Sequence, residues 1–144
     1  MITLNKDELY VDFPRKKPTK TGKTYNRYYI SLNPYRNWNA FVEGKIKKQF
    51  QSLLLEKFEE SLKLGCISSF EPTSKIKITY TIYNGTKARF DVSNQLCIID
   101  KYFCDMLVVN GYLEDDSYDY ITEVLYKYGY KTKEKKVEIE IDFP

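Results

Sequence analysis

Residues 89–116, RFDVSNQLCIIDKYFCDMLVVNGYLEDD, contain the most informative pattern of the chain, a helical period between two acidic positions. A helical wheel that advances about 100° per residue from Asn94 places five apolar side chains between roughly 120° and 220°. They are Leu96, Ile99, Phe103, Met106 and Leu107. The pattern predicts one amphipathic helix over Val92–Val109, and Asn110-Gly111 predicts its end.

The opposite side of this predicted helix is polar. On the same wheel Asn94, Lys101 and Asp105 fall within about 20° of one line. Between residues 91 and 119 the chain carries one lysine and seven carboxylates, Asp91, Asp100, Asp105, Glu114, Asp115, Asp116 and Asp119. Bound divalent cations are a common offset for such a concentration of negative charge. The inventory suits metal-assisted phosphodiester hydrolysis, in which lysine neutralises developing charge.

The remaining chain predicts strands on both sides of a second helix. A continuous apolar stripe at three-to-four-residue spacing predicts a helix over residues 37–63, with Asn37 or Asn39 as N-cap. Asn84-Gly85 predicts a tight hairpin turn. Strands are predicted at residues 9–13, 28–32, 75–83, 87–90, 118–130 and 137–143. The order predicts an α/β (α+β) fold, one domain over residues 1–144 with a mixed β-sheet against two main helices.

Composition restricts the chemistry. The chain has 144 residues, a formal net charge of +3 and no histidine, which excludes histidine-based triads and zincin motifs. Oxygen ligands favour Mg²⁺, Mn²⁺ or Ca²⁺ over zinc. There is no apolar run long enough to span a bilayer, and the three cysteines form no disulfide pattern. We therefore expect a cytoplasmic protein without a membrane partner.

Positive charge is concentrated in the first half, where residues 1–63 carry 13 Lys and Arg against 7 Asp and Glu. Residues 14–27 contain no acidic residue and predict a flexible basic loop. This loop is either a phosphate-contacting arm or a solvated hairpin loop. Candidate nucleic-acid contacts are Arg15, Lys16, Lys17, Lys20, Lys23 and Arg27, with Lys45 and Lys48 on the long helix and Arg89 before the second one.

The series Arg89, Asp91, Asn94, Lys101, Asp105, Gly111, Asp115 and Asp116 resembles the RusA-like Holliday junction resolvases of phages and prophages. The resemblance is strongest over residues 87–125. It implies a RusA-like fold and a homodimeric, Mg²⁺-dependent endodeoxyribonuclease, with Mn²⁺ as an alternative ion. The implied substrate is branched DNA, above all four-way junctions, nicked on opposing strands in DNA recombination and repair.

By the same resemblance, Asp91, Lys101 and Asp116 match the catalytic positions, and Asp91, Asp115, Asp116 and Asp105 are the candidate metal ligands. Lys101 stands farther from Asn94 than in the founding member. Ser93 is the clear departure, because the founding pattern has a second metal-binding aspartate there. If the resemblance holds, either Asp105 or Asp115 compensates for Ser93 or activity is weakened, and Ser93 and Asn94 support the site.

Alternatives remain at this point. Asp91 and Ser93 also fit the N-cap of a helix. Asp115-Asp116 could form a turn that is merely acidic. Lys101 and Asp105 could form a surface ion pair. A non-catalytic branched-DNA-binding protein of the same fold would lack full metal ligation at Ser93. A small acidic-loop Ca²⁺-binding or interaction module is a third class, which the basic half of the chain disfavours. Sequence does not decide whether Asp91 and Asp116 meet within one chain or between two.

Overall fold

A computed structural model of the chain describes residues 1–130 and 132–144. Its strands are β1 (Ile2–Leu4), β2 (Tyr10–Pro14), β3 (Tyr25–Tyr29), β4 (Ile76–Tyr83), β5 (Ile121–Tyr128) and β6 (Lys136–Asp142). Its helices are α1 (Leu32–Tyr35), α2 (Ala40–Lys63) and α3 (Val92–Val109), with a 3₁₀ turn at Lys6–Leu9. The α/β prediction of a mixed sheet against two main helices is confirmed.

The main sheet has four strands in the order β1-β6-β4-β5. Strands β4 and β5 run parallel, and α3 is the crossover between them. Strand β6 pairs antiparallel with both β4 and β1. Strands β2 and β3 form a separate hairpin. The parallel pair follows from the long connection, because parallel strands need a crossover whereas antiparallel ones can share a tight turn.

Strand β4 lies in the centre of the sheet and shows why the alternating pattern is reliable here. Ile76, Ile78, Tyr80 and Ile82 all point to the helical side and are fully buried. Their neighbours on β4 are half-buried on the other face. Because successive side chains of a strand point to opposite faces, one face forms the core and the other stays partly solvated.

Helix α3 is buried on two sides. The predicted core residues Leu96, Ile99, Phe103, Met106 and Leu107 are at most 1% exposed, as expected. Ile98 and Tyr102, which the wheel places outside this group, are buried as well. The reason is that α3 contacts α1 and α2 as well as β4 and β5. Helix α3 therefore packs against both the sheet and the other two helices.

The predicted hairpin at Asn84-Gly85 is wrong, as is the return strand at residues 87–90. Both edges of β4 are occupied, by β5 and β6. The Asn84 side chain is buried and donates to Ala88 O at 2.9 Å, which shapes a loop rather than a turn. A Cβ on Gly85 would stand 2.8 Å from the Lys135 nitrogen, so glycine here allows close approach of two loops.

Element ends also shift. The strand predicted at residues 28–32 lies at Tyr25–Tyr29, because Leu32–Tyr35 turns into α1. The strand predicted at residues 118–130 is shorter at both ends, and β1 was not predicted. The long helix begins after Asn39, whose side chain accepts from Val42 N at 2.9 Å, so Asn39 rather than Asn37 is the N-cap.

Candidate functional site

Asp91 is exposed and caps the N-terminus of α3. Its Oδ1 accepts hydrogen bonds from the backbone nitrogens of Ser93 at 2.9 Å and Asn94 at 3.4 Å. The N-cap alternative for Asp91 is therefore realised. The cap uses one carboxylate oxygen, which leaves the other available to a ligand at the positive end of the helix. The Ser93 side chain does not serve as the cap.

The acidic turn, residues 114–119, lies beyond the opposite end of α3. Gly111, with a φ of 77°, follows the C-cap Asn110, and Leu113 is buried. The Glu114 nitrogen then donates to Pro72 O at 3.1 Å, which fixes the turn near the start of β4 and β5. An 18-residue helix is about 27 Å long. Asp91 and Asp116 therefore stand at opposite ends of α3 in one chain.

The predicted metal ligands of one chain do not converge. Asp91 lies at the start of α3, Asp115 and Asp116 lie in the acidic turn, and Asp105 points toward α2. Among residues 1–130 and 132–144, no three or more histidine, cysteine or acidic side chains are arranged to hold a metal ion. Mg²⁺ demands near-octahedral oxygen ligation. This ligand set from a single chain does not fit it, so no chemical step through a metal follows from one chain.

The polar stripe of α3 has three environments. Asp105 forms a 2.8 Å ion pair with Lys47 of α2, and both side chains are about one-third exposed. Lys101 is exposed, and Asn94 is half-buried. The surface-pair alternative for Lys101 with Asp105 is therefore wrong, because α2 supplies the lysine that Asp105 contacts. Asp105 joins two helices, whereas Lys101 remains open to a ligand.

Asp100 is a functional candidate that the sequence prediction missed as a site residue. Its Oδ1 accepts from Tyr80 Oη at 2.7 Å and from Cys104 Sγ at 3.2 Å. Its Oδ2 accepts from Tyr126 Oη at 2.6 Å. A signal was present, because Asp100 falls at roughly 240° on the wheel, beside the apolar sector. A carboxylate at that border needs partners from the sheet.

The environment of Asp100 keeps its three donors protonated. Burial raises the pKa of Tyr80, Tyr126 and Cys104, and the negative charge of Asp100 raises each pKa further. The charge of Asp116 also raises the pKa of Cys104. Asp116 therefore lies within electrostatic range of the Cys104 thiol. The side of α3 that faces β5 carries Asp100 and adjoins exposed Lys101.

The predicted nucleic-acid contacts divide into engaged and open side chains. Arg27 binds Asp12 through two bonds of 2.9 and 3.0 Å, and Arg15 donates to Asn26 at 2.7 Å. Lys45 lies over the ring of Phe13. Of the other predicted contacts, Lys16, Lys17, Lys20, Lys23 and Lys48 are exposed, and Lys23 lies over the ring of Tyr25. The first four belong to the basic loop, which spans residues 15–24 at the tip of the β2–β3 hairpin and is shorter than predicted, because residues 14 and 25–27 lie in the strands.

A cleft of about 540 Å³ opens beside the start of α3. Lys87, Arg89 and Phe90 line it from the loop before Asp91, and Tyr128 lines it from the end of β5. Arg89 is exposed, as a phosphate contact requires. The rings of Phe90 and Tyr128 stand 5.8 Å apart, edge to face, and hold this loop against β5.

No model of a known protein family matches this chain, and a search of curated proteins finds none with a matching sequence. Within the described part of the chain, every helix is too short or too polar to cross a membrane. The site therefore has to be interpreted from its own geometry. That geometry comprises an open lysine between two acidic ends of α3, a basic cleft and a basic hairpin tip.

Proposed function

We propose that the protein is an endodeoxyribonuclease of the RusA-like type that cuts four-way junctions or other branched DNA in recombination and repair. The observation that carries the proposal is the exposure of Lys101 on α3, between Asp91 at one end and Asp116 beyond the other. Lys101 would neutralise charge that develops on a scissile phosphate. Asp91 and Asp116 are the proposed catalytic carboxylates.

The proposed cofactor is Mg²⁺, with Mn²⁺ as the alternative. Asp91, Asp115 and Asp116 are exposed carboxylates with oxygen chemistry suited to either ion. They come from opposite ends of α3, so the proposal requires a homodimer in which two chains complete each site. Asp105 is a weaker ligand candidate than the other three, because Lys47 already neutralises it.

DNA binding is proposed for the open basic side chains. Lys16, Lys17, Lys20 and Lys23 extend from the hairpin tip, and Arg89 lies in the cleft beside Asp91. Such lysines bind the phosphate backbone without reading sequence. Arg27 and Arg15 would instead stiffen the hairpin, because their guanidinium groups are bound to Asp12 and Asn26.

A second candidate is a branched-DNA-binding protein without catalysis. Ser93 favours it, because a serine hydroxyl is exposed where the related pattern has an aspartate. For either function we propose a cytoplasmic location. All three cysteines are free thiols, as a reducing compartment maintains them.

One experiment separates these candidates. Purified protein is incubated with a synthetic four-way junction and with linear duplex, each in Mg²⁺, Mn²⁺ or EDTA. Nicking of the junction that needs the metal and is abolished by Asp116→Asn supports the nuclease. Asp119→Asn is the matched control, because Asp119 is an exposed carboxylate of the same turn outside the proposed site. Junction binding without nicking supports the non-catalytic binding protein. If the protein neither nicks nor binds branched DNA, both candidates are refuted.

A further inference from the structure

Strand β5 is an unprotected edge of the main sheet. It is eight residues long, and within residues 1–130 and 132–144 its only strand partner is β4. Val124, Leu125 and Tyr128 are 42%, 41% and 51% exposed, so apolar surface is open on both faces of the strand. A long apolar edge invites pairing with another strand, and proteins usually shorten, charge or cover such edges. This edge is therefore a candidate binding site for another β-strand.

The backbone of β5 presents a defined set of hydrogen-bonding groups at this edge. Beyond the irregularity near Ile76, its register with β4 is continuous. The Gly129 nitrogen donates to Ile82 O at 2.9 Å and so points toward β4. Since backbone groups alternate in direction along a strand, those of Val124, Tyr126 and Tyr128 point away from β4. An added strand must bind at these three residues.

We propose that β5 pairs antiparallel with β5 of a second copy of this chain, with the two-fold axis at Leu125. In this register Val124 exchanges backbone hydrogen bonds with the partner's Tyr126. Leu125 lies against the partner's Leu125 at a closely spaced pair. Glu123, which contacts Lys77 of β4 at 3.1 Å within its own chain, also faces the partner's Lys127, and the symmetry repeats this ion pair. Neighbouring registers allowed by the backbone lose the Glu123–Lys127 pairing.

Charge at the two ends of β5 also favours a second copy over an unrelated strand. The acidic turn precedes the strand, whereas Lys87 and Arg89 line the cleft at its far end. Antiparallel pairing places the acidic turn of one subunit beside the basic cleft of the other, twice. Self-complementarity of this kind is what a two-fold interface requires.

The pairing has a consequence for the site, and this step rests on the proposed function. Phe90 contacts Tyr128, which faces the partner's Thr122 in this register. Asp91 directly follows Phe90, and the partner's Asp116 lies shortly before its Thr122. Each end of the interface therefore brings Asp91 of one subunit toward the acidic turn of the other. Two composite sites result, although neither chain contains a complete one.

A disulfide tests the register independently of activity. In a Cys66→Ser background, which removes the exposed native thiol, Leu125→Cys should form a covalent dimer on mild oxidation. The paired Cα atoms stand about 4.5 Å apart in such a register, within disulfide range. Lys127→Cys is the control, because its symmetry copy is about four residues, or roughly 13 Å, away along the strands. Crosslinking of Lys127→Cys but not Leu125→Cys overturns the register.

Sedimentation tests the interface itself. Wild type should be a dimer, and Leu125→Asp should raise the dimer dissociation constant at least tenfold, because it places two carboxylates at the axis. Phe41→Asp is the control, since Phe41 is 76% exposed on α2, away from β5, and should stay dimeric. A monomeric wild type, or equal dissociation constants for both variants, overturns the proposal.

Complementation tests the composite sites. Asp91→Ser and Asp116→Asn should each be inactive. After the two variants are mixed and exchange subunits, about half of the dimers are mixed, and each mixed dimer has one intact site. About a quarter of all sites should therefore be active. Leu125→Cys is also introduced into both variants. If their mixture is inactive but still forms the crosslink, the composite site is refuted and the interface is retained. Wild type without nuclease activity refutes the proposed function, and the crosslink then decides the interface alone.

Discussion

The Tyr126 hydroxyl on β5 donates a 2.6 Å hydrogen bond to Asp100 on α3. The second carboxylate oxygen accepts from Tyr80 on β4. Asp100 therefore links α3 by hydrogen bonds to β4 and β5, the two strands that this helix connects. Because the neighbouring Lys101 is on the exposed surface of the same helix turn, this contact also sets where Lys101 stands relative to the edge strand.

Tyr126→Phe should lower the free energy of unfolding by about 1–2 kcal/mol, because it removes a hydrogen bond to a half-buried carboxylate. Urea denaturation followed by circular dichroism measures it. Tyr118→Phe is the control, since Tyr118 is 83% exposed and should match wild type. Equal stability of the two variants would show that water replaces the Tyr126 hydroxyl without loss.

Stability should fall at alkaline pH. The folded-state pKa values of Tyr80, Tyr126 and Cys104 are raised above the ordinary values of 10.0 and 9.0 for tyrosine and cysteine. The unfolded chain loses these protons first, so the stabilisation is complete below about pH 9 and decreases as pH rises toward the raised values. Melting temperatures from pH 7 to 11 should decline more steeply for wild type than for Tyr126→Phe. Parallel profiles would contradict this.

The ion pair between Lys47 and Asp105 should contribute modestly. A double-mutant cycle with Lys47→Met and Asp105→Asn should give a coupling of about 0.5–1 kcal/mol, because both side chains remain partly solvated. Half-molar NaCl should reduce the coupling. A coupling near zero at low salt would mean that the two helices are held by their apolar contacts alone.

Asp91 should combine a structural and a functional role, and two substitutions separate them. Asp91→Ala should destabilise the protein by about 1 kcal/mol through loss of the N-cap of α3. Asp91→Ser should retain the cap and nearly all stability. Under the proposed function both variants lose junction cleavage. Full cleavage by Asp91→Ser would assign Asp91 to helix capping only.

The basic loop should control salt-dependent DNA binding. Replacing Lys16, Lys17 and Lys20 together by glutamine should weaken junction and duplex binding alike, and should reduce the slope of log affinity against log salt by about 2–3. Fluorescence anisotropy at several NaCl concentrations measures this. Lys63→Gln and Lys75→Gln, which change exposed lysines outside the hairpin, should leave the slope unchanged. An unaltered slope for the triple variant would remove the loop from the interface.

Local patterns account for the parts of the fold that were predicted well. The limits and core face of α3 followed from helical periodicity, and the buried face of β4 followed from strict alternation. Each pattern repeats within a few residues and needs no knowledge of distant partners. Asn84-Gly85 shows the limit of such signals, because β5 and β6 come from later in the chain and occupy both edges of β4, which leaves no edge for a return strand.

Helical periodicity alone is sufficient to predict the helix between Asp91 and the acidic turn, together with the polar residues that α3 carries. Contacts between distant elements place Lys47 against Asp105 and two tyrosines against Asp100. The length of α3 and the parallel pairing of β4 with β5 keep Asp91 and Asp116 apart. The physical reason for this division is that periodicity specifies which side of an element is apolar. The neighbours of that side depend on strand order and on the crossover between β4 and β5, which are set by contacts far apart in the chain.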